Sequence, residues 1–352
     1  MAQQNAQHAR PLGAGDRIPN FIRKDHLGKI FEFYTSISGG SMVFVILDRN
    51  GEGTESLLRL LDEKRTGFEA QNAHPYAFLN TTRDVQRALG LDLDLQFPLF
   101  SDDGSQLTDW FLESAGVRAP AVFVLDANQR LVSFMGGAEG DATALVDFAL
   151  AEVTKLAPKG EPQIFTSAAP VLLIPNVFNP EYCQRLINLW ETGDQEEGMV
   201  SDGDGENQGR KIDPGSKRRK DHTIRDMDLM AEIKSVLAPR LGPEAQKVHY
   251  YGSWMFEAFR IGCYDWTDAG FFKAHRDNFN ENLQHRRYAV SINLNAEDYE
   301  GGDLRFPEYG HDLYRPPTGG AAVFSCSLLH EVLPVTKGRR FVFLTFLSDP
   351  QP

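Results

Sequence analysis

The chain has 352 residues, enough for two domains of ordinary size with sizeable cores, and an apolar content typical of globular proteins. Its formal net charge of −13 argues against nucleic acid or an anionic membrane as a general partner. Three cysteines, Cys183, Cys263 and Cys326, stand far apart with no Cys-x-x-Cys, so neither a disulfide framework nor a zinc knuckle is expected and a reducing compartment fits.

Residues 1 to about 12 read as a disordered start, polar and without an apolar signal region. The apolar run 42–47 is too short to span a bilayer and reads as a buried strand, so the expectation is a soluble, cytoplasmic protein without membrane partners. A helix over 54–64 follows, with Leu57, Leu58, Leu60 and Leu61 on its apolar face. Next come a strand over 75–79, a helix over 82–89 ended by Gly90, and a strand over 121–125. Residues 126–129 turn that strand into a second one over 130–134, a hairpin, and a helix over 141–154 capped by Asp141 closes the segment. Strands alternating with helices and then a hairpin imply an α/β layer with a mixed sheet.

A stretch rich in Pro, Gly and charge, 157–163, reads as the start of a linker. Beyond it are a strand over 171–174 and a helix that Asn179 caps and Pro180 opens, with Leu186, Ile187 and Trp190 on one face. Residues 193–222 are Gly-rich, first acidic and then basic. They read either as a substrate lid or as a solvated loop, and the basic run 217–220 as a solvated face. A helix over 226–241 turns Met230, Ile233 and Leu237 inward. From about 247 the chain reads as short strands with turn signals, consistent with a double-stranded β-helix of the jelly-roll type.

Within that region His275 and Asp277 stand two apart, and on a strand they share a face, an imidazole and a carboxylate for one metal. His330 from another strand would complete two His and one carboxylate, the donor set of non-haem Fe(II) oxygenases. Ten positions beyond His330 lies Arg340, on a strand over 341–347, and such an Arg can hold a dicarboxylate through a bidentate pair. The remaining histidines, His222, His249, His285 and His311, lack a paired ligand at useful spacing and read as ordinary. Trp254 and Trp266 read as core or pocket wall, and Cys263 and Cys326 as buried small hydrophobes.

These pieces stand in order: Cys263-Tyr264, His275-Arg276-Asp277-Asn278, Ser291-Ile292-Asn293-Leu294-Asn295, Glu300-Gly301-Gly302-Asp303, and His330-Glu331 with Pro334, Gly338 and Arg340. In them residues 250–349 resemble the prolyl 4-hydroxylase branch of the 2-oxoglutarate/Fe(II) dioxygenases. The resemblance implies that His275, Asp277 and His330 bind Fe(II) and carry the catalysis. It implies that Arg340 pairs with the distal carboxylate of 2-oxoglutarate, with Tyr264 and Asn293 lining the co-substrate pocket. Arg339, of opposite strand parity, takes the anchoring role if the register slips by one. Implied too are O2 as co-substrate, release of succinate and CO2, and ascorbate as an optional addition. The substrate would be a protein, a peptide or a small molecule.

Residues 13–155 resemble the thioredoxin fold in its peroxiredoxin-like form, through Gly15-Asp16-x-Ile18-Pro19-x-Phe21 and Ala119-Pro120-Ala121-Val122-Phe123, with Pro120 at the place of a cis-proline. The chemistry of that family needs a thiolate, and no Cys precedes Cys183, so the domain is expected to be redox-inactive. The expected organisation is therefore an α/β thioredoxin-like domain over 13–156, a linker over 157–168, and a jelly-roll dioxygenase domain over 169–352 with its core at 248–349. Two other readings stay open: the same chemistry on a free amino acid or other metabolite, and a non-catalytic protein that binds a partner through the thioredoxin-like half. The oligomeric state is open as well, a homodimer being one option.

Overall fold

Seven consecutive apolar or small residues, Ser41–Leu47, can be buried on both faces only at the centre of a sheet, and all seven are buried there. The computed structural model describes residues 10–36, 39–47, 53–104, 106–137, 141–157, 160–162, 164–201 and 210–350. It divides into two units, 1–161 and 162–352.

In the first unit Ser41–Leu47 pairs in parallel with Ala73–Leu79, which pairs in parallel with Leu99–Ser101. On its other side it pairs antiparallel with Ala121–Leu125, followed by Leu131–Gly136. Period-two alternation sends Val43, Val45 and Leu47 to one face, against Leu57, Leu58 and Leu61 of the helix Thr54–Glu63 and Val146 of the helix Ala142–Leu156. Met42, Phe44 and Ile46 face an aromatic layer that includes Phe21, Phe33 and Phe111. This mixed five-stranded sheet with a core on each face is the expected thioredoxin-like architecture, and the Ala119-Pro120 bond is cis.

Local expectations differ in four places. Gly90 does not end its helix, which runs Arg83–Asp92. A Cβ there would meet the His26 ring at 2.5 Å, so the glycine answers to close packing rather than to a C-cap. Asp141 makes no side-chain capping bond. Leu12 is packed in the aromatic layer and Arg10 pairs with Asp16, so order begins earlier than expected. The helix Gln106–Ala115 and the small hairpin of Ile22–Lys24 with Ile30–Glu32 carried no clear sequence signal. Residues 1–9, 48–52 of the cysteine-free segment after the first long strand, 158–159 and 163 of the linker, and 202–209 of the 193–222 stretch lie outside the described residues.

The second unit is built on two sheets. The larger carries Ala321–Ser325, Arg286–Asn293, Arg339–Ser348, Arg260–Asp265 and Lys220–Thr223 as neighbours in that order. The smaller carries Lys217–Arg218, Phe271–His275, His330–Val332, Leu304–Arg305 and Leu313–Tyr314. Tyr264, Ala289, Phe324 and Val342 from the first sheet share one core with Leu304 and Val332 from the second, as in a jelly roll. Behind the larger sheet lie two helices. Pro180–Thr192 opens where the Asn179 side chain accepts from the Tyr182 N–H at 2.7 Å. Met227–His249 runs past the expected end near 241 and contains Pro239 and Pro243. No helix among the described residues is long and apolar enough to cross a membrane.

Candidate metal centre

The strands Phe271–His275 and His330–Val332 pair antiparallel with His275 opposite His330, which brings the two imidazoles to one side of the smaller sheet. Their ring centroids are 4.3 Å apart. Asp277 lies just past the end of its strand rather than on it, so the shared-face argument does not hold for it. Its N–H donates to the Cys326 carbonyl at 2.9 Å, and this bond turns the carboxylate back toward the histidines. Asp277 Oδ1 lies 3.5 Å from His275 Nε2, and Oδ2 lies 3.4 Å from His330 Nε2. One donor atom of each of the three residues lies within 4.8 Å of the others.

The tautomers follow from the hydrogen bonds. His275 Nδ1 faces the Lys273 carbonyl at 2.8 Å and His330 Nδ1 faces the Leu328 carbonyl at 3.0 Å. A carbonyl can only accept, so each Nδ1 carries the proton and each Nε2 keeps its lone pair for a metal. Burial works against the Asp277 carboxylate, but His330 and His275 beside it prevail and hold its carboxyl at about 2. Burial pushes His330 below the ordinary histidine value, toward the neutral form that coordinates. Two neutral imidazoles and one carboxylate fit a ferrous ion with open positions left for other ligands.

A cavity of about 750 Å³ opens on this cluster and also reaches Tyr264 and Arg340. Tyr264 and Arg340 are opposite one another on adjacent strands, and the guanidinium lies over the Tyr264 ring at 5.3 Å. Arg340 is only 2% exposed, yet its Nε and Nη1 have no partner among the described residues. A buried guanidinium with unmet donors is costly by itself and fits an anion with two oxygens, the chemistry of a 2-oxoglutarate carboxylate. Its neighbour Arg339 points the other way, exposed, and pairs with Glu191 at 2.7 Å. Asn293 is buried but is not among the residues bordering the cavity. Its Oδ1 accepts from Arg340 Nη2 at 3.2 Å and its Nδ2 donates to the Pro316 carbonyl at 2.7 Å. Asn293 therefore fixes Arg340 from behind, where a direct contact with the co-substrate was expected.

The basic run 217–220 is not a solvated face. Lys217, Arg219 and Asp221 are buried and border the cavity, while Arg218 and Lys220 point out. Arg219 donates to both Asp221 oxygens, at 2.5 and 2.8 Å, and its Nη1 donates to the Tyr264 hydroxyl at 3.1 Å. Burial, and after it Arg219, pushes the Lys217 ammonium down to about 7. The only cue in the sequence was alternation at period two, here written in charges instead of apolar residues. Trp266 is more than half exposed, not core, whereas Trp254 packs against the core. His285 bonds to Glu257 and His249 stacks on Tyr288, as suits ordinary histidines.

Residues 259–348, within the second unit, match the family described as the 2OG-Fe(II) oxygenase superfamily. A PKHD-type hydroxylase of Pseudomonas paraeruginosa is 33% identical over 89 residues, 23% of this chain and 38% of that protein. A PKHD-type hydroxylase of a Synechococcus strain is 30% identical over 108 residues, 28% of this chain and 47% of that protein. The chain thus spans less than half the length of these relatives. Among solved structures, the viral collagen prolyl hydroxylase of Paramecium bursaria chlorella virus-1 is similar over 51% of this chain and 96% of its own, at 16% identity and a TM-score of 0.39. The peroxidoxin BcpB of Mycobacterium tuberculosis is similar over 41% of this chain and 98% of its own, at 17% identity and a TM-score of 0.36.

Proposed function

We propose that the second unit is a 2-oxoglutarate-dependent Fe(II) dioxygenase that hydroxylates an unactivated C–H bond of a prolyl residue in a protein or peptide, with release of succinate and CO2. The observation that carries this reading is the meeting of His275, Asp277 and His330 in the same cavity as a buried Arg340 with two unmet donors. The match of residues 259–348 supports the reaction class, and the names of the curated relatives support a hydroxylase. The prolyl choice rests on the sequence resemblance.

In this reading His275, Asp277 and His330 hold the ferrous ion, and Arg340, steadied by Asn293, grips the distal carboxylate of 2-oxoglutarate. The bound ion with its co-substrate supplies the activation of O2 needed to attack a C–H bond. The chain contributes geometry and exclusion of water. Leu304, Phe324, Val332 and Val342 make an apolar wall to the cavity, so charge–charge contacts inside act in a low dielectric. The ligand imidazoles stay oriented through their Nδ1 bonds to strand carbonyls. The first unit, with no cysteine, would serve as a scaffold or partner-binding surface, and three buried free thiols suit a cytoplasmic, reducing setting.

The test is formation of succinate from 2-oxoglutarate by the full chain with Fe(II) and O2. Turnover is expected in wild type and its loss in His275→Ala. Wild-type protein that binds neither metal nor 2-oxoglutarate would end the reading. Mass spectrometry of proline-containing peptides for a gain of one oxygen tests the substrate.

A further inference from the structure

Resting on the dioxygenase reading, we infer that the substrate presents a carboxylate to the cavity wall formed by Lys217 and Arg219, and that Lys217 is the residue that contacts it. The wall lies along residues 217–221. Lys217 pairs opposite Phe272 of the smaller sheet, and Lys220–Thr223 pairs with Arg260–Asp265 of the larger. Alternation along this stretch turns Lys217, Arg219 and Asp221 inward together. Gly262 makes room for them: a Cβ there would lie 2.8 Å from Arg219 Cδ and 3.1 Å from Asp221 Oδ1.

Among the described residues, Lys217 and Arg219 face one carboxylate in this wall, that of Asp221. Both Asp221 oxygens are taken by Arg219. Lys217 Nζ stands 3.7 Å from Asp221, beyond hydrogen-bond reach. An ammonium has three donors. Among the described residues Lys217 gives one hydrogen bond, to the Met199 carbonyl at 3.1 Å, and leans on the Phe272 ring at 5.0 Å. Among the described residues, no other carboxylate bordering the cavity makes an ion pair with Lys217. Asp277 belongs to the metal set, Glu196 pairs with Arg225, Asp213 closes its own turn onto Ser216, and Glu197 is exposed.

A buried cationic excess of this kind is stabilised when an anion arrives. The position suits a substrate rather than the co-substrate. Arg340 has its own unmet donors for one carboxylate, and Lys217 offers a second, separate set. Phe272, beneath the ammonium, stacks on the ligand His275 at 3.5 Å, so an anion held there sits one ring away from the metal ligands. The carboxylate could be the substrate's own, as in a free amino acid, or an acidic side chain next to the target residue of a peptide.

Isothermal titration of the full chain with Fe(II) and 2-oxoglutarate, without oxygen, separates these. The probes are free L-proline, acetyl-proline amide, and a blocked peptide with glutamate beside proline. One of the two carboxylate-bearing probes is expected to bind at least about tenfold tighter than the neutral amide, and which one identifies the source. Lys217→Met should erase that preference, Lys217→Arg should keep it, and the 2-oxoglutarate affinity of both variants should stay near that of wild type. Four results overturn the inference: equal binding of the neutral amide, a preference that survives in Lys217→Met, no binding of any probe by protein that binds 2-oxoglutarate, or a fall in 2-oxoglutarate affinity in Lys217→Met. Wild-type protein that binds no 2-oxoglutarate at all removes the dioxygenase reading itself.

Discussion

At Arg340 the contrast between adjacent arginines becomes measurable. Removing a charged group that meets its partner in a buried pocket costs about 2–3 kcal/mol, so Arg340→Met should raise the KM for 2-oxoglutarate roughly 30- to 150-fold. Arg339→Ala loses an exposed pair with Glu191 and a contact over the Phe341 ring at 5.1 Å, and should change that KM little and stability by about 1 kcal/mol. Steady-state kinetics on the two variants checks both. Asn293→Ala unties Arg340 and leaves the buried Pro316 carbonyl unpaired. It should raise the same KM with little change in kcat, and lower stability by about 1–3 kcal/mol in denaturant titration. The ten-residue offset from His330 and the preceding Gly338 favoured Arg340 over Arg339 in the sequence, and in the structure Arg340 is buried at the cavity while Arg339 is exposed. The sequence could not put Asn293 behind Arg340, because which side of a side chain meets a ligand is a property of packing between strands.

Among the elements, those with strong apolar patterns were legible. The strand Ser41–Leu47, the helix Pro180–Thr192 with its Asn179 cap, and the long strand Arg339–Ser348 all lie where the residue pattern puts them. Elements whose pattern is polar or short were not. The inward charges at Lys217, Arg219 and Asp221 look like surface by any hydrophobic count, and only the pairing of their strands turns them inward. Asp277 meets His275 and His330 from a turn, not from the strand on which the sequence expectation placed it. Gly90 misled because a glycine near a helix end reads as a stop, while its real constraint is the His26 ring. Gly90→Ala should therefore destabilise the first unit by about 1–3 kcal/mol through overpacking. Thermal unfolding would register this, and an unchanged or raised Tm would count against the packing account.

Over the whole molecule, each unit keeps its own cores: the two faces of the five-stranded sheet in one, and the jelly-roll interior with its helical backing in the other. The alternation of strands and helices, followed by short strands with turns, is the sequence pattern on which the expectation of two domains rests. A ligand that binds only the folded second unit stabilises that unit by about 2.7 kcal/mol at a hundred times its Kd. In calorimetry, Fe(II) with 2-oxoglutarate should accordingly raise the unfolding transition of the second unit in wild type and not in Asp277→Ala.

The claim on which the rest stands is that three side chains from two strands and a turn make one ferrous site. Anaerobic titration with Fe(II), followed by gel filtration and iron analysis, tests it most directly. One ferrous ion per chain is expected in wild type, with retention lost in His275→Ala, Asp277→Ala and His330→Ala. Wild-type protein that elutes without iron, or an Asp277→Ala variant that keeps it, would contradict the account.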